Sequence, residues 1–201
     1  MGFYPFNPNL APTQQTDVQG VYTSRMHPAR YAPGLVAAAD TDGVLAAVTD
    51  TGAQQVITTG LTSPAVPRNI TATAGGTAID IKAIQVIVAG TNFADEAITE
   101  TLPAFTVNTA GSVVGNKAFK TVTSVTIPAH DNTGATTEIG WGSKIGLPDK
   151  LAHNTVLLAA LNDVVEGTAP TVVVSATAVE SNTVTLDSAL NGTAVDVYYL
   201  A

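Results

Sequence analysis

Thr121-Val122-Thr123-Ser124-Val125-Thr126-Ile127 is the stretch that decides how this chain folds. Threonine and β-branched apolar residues alternate in it, the two-residue period of a strand with one buried face. The alternation slips once, around Ser124, so that Val122 is out of phase with Val125 and Ile127. A one-residue slip turns the buried side over, which means a bulge or a strand passing from one sheet to another. Residues 79–89 do the same: Ile79, Ile81 and Ala83 lie on one parity, then Ile84, Val86 and Val88 on the other. Two such slips suit a bent sandwich or an open barrel better than a flat sheet.

The same strand-and-turn grammar covers the chain from Ala37 onward. Strands are expected over residues 44–48, 55–59, 68–73, 79–89, 97–102, 105–107, 112–114, 121–127, 137–141, 156–160, 171–179, 183–186 and 194–200. Gly, Asn, Asp and Pro punctuate them. Gly75-Gly76, Ser181-Asn182 and Asn191-Gly192 are turn dipeptides, the last a strong tight-turn signal just before the final strand. A spacing of roughly ten residues with such punctuation marks an all-β sandwich or barrel with little helix. Strict repeats are absent. The expected organisation is an extended irregular N-terminal arm over residues 1–34 and a β-rich body over 35–201. Within the body, 35–150 form the main sandwich or barrel, and 151–201 form a C-terminal β-meander packed on it.

The arm is defined by Pro5, Pro8, Pro12, Pro28 and Pro33 with Asn, Gln and Thr between them, and by the lack of any helical or alternating period. It nevertheless holds Phe3, Tyr4, Phe6, Tyr22 and Tyr31, about half of the protein's aromatic residues. Aromatic side chains on a segment too irregular to build its own core pack on something else: a neighbouring subunit is favoured, and a tail folding back on its own domain is the alternative.

Composition narrows the functions. In 201 residues, 16 Asp and Glu face 8 Lys and Arg, for a formal charge of -8, and no Cys is present. A phosphate-binding surface needs the opposite sign concentrated on one face, so nucleic-acid and anionic-membrane partners are not expected. Disulfides, thiolate metal sites and cysteine nucleophiles are excluded. The longest apolar runs, residues 84–89 and 156–161, fall far short of a membrane-spanning helix, so a soluble protein is expected. No basic segment followed by an apolar one opens the chain, so no secretory signal is expected. With 5% aromatic residues the core is thin, and extra burial against copies of itself or a partner would add stability.

Catalytic chemistry finds little purchase. His27, His130 and His153 are too scattered for a metal site, and His130-Asp131-Asn132-Thr133-Gly134 reads as loop chemistry rather than a catalytic dyad. Gly111-Ser112-Val113-Val114-Gly115-Asn116-Lys117 has the wrong spacing for a phosphate loop, with Ala118 where a hydroxyl is required, and is expected to be a hairpin turn. Asp95, Glu96 and Glu100 suit solvated turn and strand positions better than an acid–base pair. Asp40 and Asp42 before Gly43 lack the later ligands of a calcium loop. Trp141, between Gly140 and Gly142, closes a β core in one reading and stacks on a sugar in the other, the first being favoured. Neither enzymatic activity, a metal nor a cofactor is expected.

Four ordered segments carry a resemblance. They are Thr62-Ser63-Pro64-Ala65-Val66-Pro67-Arg68-Asn69-Ile70-Thr71, Val88-Ala89-Gly90-Thr91-Asn92-Phe93-Ala94-Asp95-Glu96-Ala97-Ile98-Thr99-Glu100-Thr101, Gly115-Asn116-Lys117-Ala118-Phe119-Lys120-Thr121-Val122 and Lys144-Ile145-Gly146-Leu147-Pro148. Together they resemble the landmarks of tailed-bacteriophage capsid decoration proteins, also called cement or head auxiliary proteins. The resemblance implies a structural virion protein on the outer surface of the capsid, made in the host bacterial cytoplasm, that stabilises the shell by bridging neighbouring subunits. Its implied partners are the major capsid protein and further copies of itself, a trimer being favoured. Under that reading Phe3, Tyr4, Phe6, Tyr22 and Tyr31 anchor the arm, and Arg25 and Arg30 pair with capsid carboxylates. A minor tail, fibre or head–tail joining protein is the alternative, with a carbohydrate-binding module behind it.

Overall fold

The computed structural model describes residues 28–201 and, before them, the backbone of two short strands. In chain order the strands are β1 (Thr13–Gln15), β2 (Tyr22–Ser24), β3 (Pro28–Leu35), β4 (Asp40–Thr49), β5 (Gln55–Ile57), β6 (Arg68–Gly76), β7 (Ile87–Thr91) and β8 (Ala97–Thr101). They continue as β9 (Gly111–Phe119), β10 (Thr121–Ile127), β11 (Ala135–Gly146), β12 (Val156–Leu161), β13 (Val164–Val165), β14 (Thr171–Val173), β15 (Thr183–Thr185) and β16 (Ala194–Leu200). Two single 3-10 turns, Ala78–Asp80 and Val179–Ser181, complete the elements. The fold is all-β, with curled antiparallel sheets.

Three sheets make the body. One is ordered β5-β10-β7-β8, a second β14-β15-β11-β6-β9, and a third β13-β12-β16-β3. β4 also pairs with β11, along the half that precedes the short β15 pairing. The long β11 therefore spans two cores. Toward its start, Ile139 packs with Ile70, Ala72, Val88, Phe119, Val125 and Ile127 between the first and second sheets. Toward its end, Ile145 packs with Val36, Leu147, Val184, Val195, Val197 and Tyr199 between the second and third. Each fully buried Ile or Val contributes about 1.5–3 kcal/mol.

The slip at Ser124 is present: the register of β10 against β7 shifts between Val122 and Ser124. Val122, Val125 and Ile127 are all buried as a result. The Val122 N–H, at the shift, donates to Ser63 Oγ at 3.0 Å. Two residues earlier the chain changes sheets. β9 pairs with β6, and after a bend at Lys120 β10 pairs with β5 and β7. A single run of sequence thus laces the first sheet to the second.

Several expected strands take other forms. Residues 79–89 do not make one bulged strand: the chain turns at Ala78–Asp80, and only Ile87–Thr91 joins a sheet. The backbone groups of the intervening residues find partners elsewhere, the Ile84 carbonyl accepting from Phe105 N–H and the Ile81 carbonyl from Asn108 N–H. Both parities are buried, with Ile81, Ile84 and Val86 in the first core. Residues 105–107 are not a strand but an irregular segment that leads into a turn at 107–108, with Phe105 buried. The segment expected to be a hairpin turn at Gly111 lies inside β9. After Val173 the chain leaves the sheet for a loop stapled by Asn182, which is fully buried. Its Oδ1 accepts from Leu151 and Ser175 N–H, and its Nδ2 donates to the Ser175 and Ala178 carbonyls.

The C-terminal strands divide between two sheets, β14 and β15 joining β11 while β12, β13 and β16 form the third sheet. The Asn191-Gly192 turn stands immediately before β16, with Gly192 at φ +85. β3, expected within the irregular arm, is an ordered edge strand paired with β16 over Pro28–Leu35, so the boundary expected at residue 34 falls inside a strand. Its exposure alternates along its length, the stamp of a one-face-buried strand that its prolines had obscured.

Candidate partner-binding surface

The residues assigned to partner contact separate into three groups. Phe3, Tyr4, Phe6 and Arg25 lie outside the described residues. Tyr22 opens β2, whose backbone pairs antiparallel with β1. Arg30 and Tyr31 both stand on β3, on opposite faces of the third sheet.

Tyr31 points inward. It lies beside the second core and meets Phe93 edge to face, ring centroids 5.8 Å apart. Burial pushes its phenol up to about 12, so it stays un-ionised at any ordinary pH. Tyr199, across the same face, is buried more deeply and donates its hydroxyl to Asp149. Arg30 points outward, but its guanidinium is engaged within the chain: Nε donates to Asp196 Oδ1 at 2.9 Å, and Nη2 lies 2.7 Å from the same oxygen. It also lies over the Tyr198 ring, 5.9 Å from its centroid. The carboxylate that engages Arg30 is thus Asp196 of this same chain, on the neighbouring strand β16.

Around that ion pair the outer face of the third sheet is apolar. Cross-strand register puts Leu158, Tyr198 and Arg30 in one row, and Val165, Ala160 and Asp196 in the next. Leu35 closes the face opposite Ala194. Leu35, Val165 and Tyr198 are exposed at 72%, 57% and 37%; Val164, at the β12–β13 hairpin, and Leu157, near the start of β12, also stand in solvent. Sequence reasoning passed over these residues. The signal was available in Ala194-Val195-Asp196-Val197-Tyr198-Tyr199-Leu200, where apolar residues occupy both parities. A strand with one wet face needs only one.

The remaining candidates have structural partners. His130 lies in the loop between β10 and β11, as expected, but is buried and stacked on Phe105, ring centroids 5.9 Å apart. Lys82 N–H donates to its Nδ1 at 3.2 Å, which leaves Nε2–H to donate to Thr137 Oγ1 at 3.0 Å. Desolvation lowers its pKa from 6.5 and keeps the ring neutral. The three carboxylates near residue 95 go separate ways. Asp95 pairs with Lys120, Glu96 accepts from Asn92, and Glu100 accepts the backbone N–H groups of Asn116 and Lys117. Among the described residues no three His, Asp or Glu side chains gather in a metal-ligating group, and no helix is long and apolar enough to cross a membrane. Trp141 packs against the first core, its ring lying on Gly43 and its Nε1–H donating to the Ala38 carbonyl at 3.1 Å. It caps a core edge.

No protein-family model, curated protein or solved structure matches this chain.

Proposed function

We propose that this chain is a structural component of a bacteriophage particle that binds the outer surface of the capsid and stabilises the shell by bridging neighbouring subunits. The observation that carries the partner-binding part of this reading is the outer face of the third sheet. A folded chain that keeps Leu35, Val165 and Tyr198 in water has apolar area to bury on another molecule. The virion context rests on the sequence resemblance. The position of β3 supports a bridging role, because the 27 residues that precede it depart from the rim of this same sheet. Each bridge adds burial that exists only in the assembled particle, so assembly itself supplies the stabilisation. The partner surface belongs to the major capsid protein, with further copies of this chain, as a trimer, supplying the rest.

The test is the copy number of this protein relative to the major capsid protein in purified particles, measured by quantitative mass spectrometry. A ratio near one, or a simple fraction set by the lattice, supports shell decoration. A handful of copies per particle would assign it to a tail, fibre or joining position, and absence from particles would end the virion reading.

A further inference from the structure

Arg68 opens β6 and is almost wholly enclosed, 2% exposed. Nη1 donates to the Ala37 carbonyl at 2.6 Å and to the Ala38 carbonyl at 3.3 Å, and Nη2 donates to the Gly142 carbonyl. Of its five N–H donors two are left over. Nε is the single buried side-chain nitrogen or oxygen without a hydrogen-bond partner among the described residues. All three acceptors are neutral carbonyls, and no described carboxylate lies within ion-pair reach. Burial alone brings its pKa down to about 10, with no acidic neighbour to oppose the shift, so at neutral pH the guanidinium remains a charged group without a counter-ion. A buried charge of this kind is costly unless an anion completes it.

Against this side chain opens a cleft of about 220 Å³, walled by Val36, Pro64, Ala65, Val66 and Trp141, with Thr62 and Ser63 at its side. Its size and apolar walls suit a short aliphatic chain, and the uncompensated charge of Arg68 in its lining suits a carboxylate at that chain's end. We propose that this cleft is a binding site for a short aliphatic carboxylate, with Arg68 as the charge partner and Trp141 and Val66 as the apolar walls. The ligand chemistry is that of a glutamate side chain presented by a neighbouring protein and equally that of a free small acid. The site is independent of the capsid reading and stands or falls separately from it.

Trp141 is the one tryptophan of the chain, so its fluorescence reports occupancy directly. The full-length protein is titrated with pentanoate, with pentanamide and with the blocked peptide acetyl-Ala-Glu-Ala-amide at constant ionic strength. The expected result is a saturable change with pentanoate and a response to the neutral amide weaker by about tenfold or more. Peptide binding tighter than pentanoate assigns the site to a protein's glutamate, and the reverse assigns it to a free acid. Arg68→Met abolishes the preference for acid over amide, whereas Arg68→Lys retains part of it. Should Arg68→Met fail to fold, the acid-against-amide comparison on the unmodified protein still decides. Equal responses to acid and amide, or no saturable response to any of the three up to about 50 mM, overturn the proposal.

Discussion

Single residues set the close approaches on which this sheet structure depends, and glycine marks them. A Cβ at Gly140 would overlap the Asp40 carbonyl where β4 lies against β11, whereas a Cβ at Gly111 meets nothing within 4 Å. Gly140→Ala is therefore expected to destabilise the fold by about 3 kcal/mol, since backbone cannot move aside as a side-chain tip can. Gly111→Ala should change stability by no more than about 0.5 kcal/mol. Urea denaturation of the pair measures the contrast, and equal effects would refute the close-approach account. His130 makes a second residue-scale expectation. Its folded pKa is depressed below the 6.5 of the unfolded chain, so its contribution is complete above that value and drains away as pH falls through the folded one. Protonation at Nδ1 would set a new N–H against the Lys82 N–H that now donates there. Between pH 7.5 and 5.5 the native protein should lose more stability than His130→Gln, and parallel pH profiles for the two would exclude this origin.

At the scale of elements, β3 is the piece whose role changed most between sequence and structure. Pro28 and Pro33 interrupt its reading as a strand, yet an edge strand needs its backbone donors on one side only. β16 supplies the partner, and Arg30 fixes the pair through Asp196, whose side chain is 9% exposed. Removing residues 1–27 should thus leave the melting temperature within a few degrees of the full chain while weakening attachment to particles. Removing residues 1–35 strips the edge from β16 and takes Tyr31 from the second core, and should lower the melting temperature by roughly 10 °C. Differential scanning fluorimetry and particle co-sedimentation of the two truncations separate anchoring from folding. Retained particle binding after loss of residues 1–27 would exclude an anchoring role for that segment.

For the molecule as a whole, the question is whether two cores make one cooperative unit. β11 carries Ile139 into the first and Ile145 into the second, both fully buried, and seats them on one continuous strand. Loss of packing in either core should loosen the strand for both. Ile145→Ala is expected to cost about 3 kcal/mol and to shift the urea midpoint equally by Trp141 fluorescence, which reports the first core, and by far-UV circular dichroism. A Trp141 transition that stays in place while the circular dichroism midpoint moves would show that the cores unfold separately. Strand pairing also joins residues distant in sequence, as when Pro28 meets Leu200, so folding should be slow for a chain of this size.

Local pattern was enough for the all-β class, the register shift at Ser124, the bend at Gly192 before the last strand and the buried positions along β10. These follow from a two-residue period and from backbone preferences, which are properties of a few neighbouring residues. Local pattern could not choose which strand pairs with which, because pairing depends on distant partners. So residues 79–89 read as a strand until His130 and Phe105 were seen to hold their backbone, and Gly111 read as a turn until β6 was found beside it. The site followed the same rule. Arg30 was legible as a candidate, but only tertiary structure gave it Asp196, and only tertiary structure enclosed Arg68 among carbonyls with no anion to complete it.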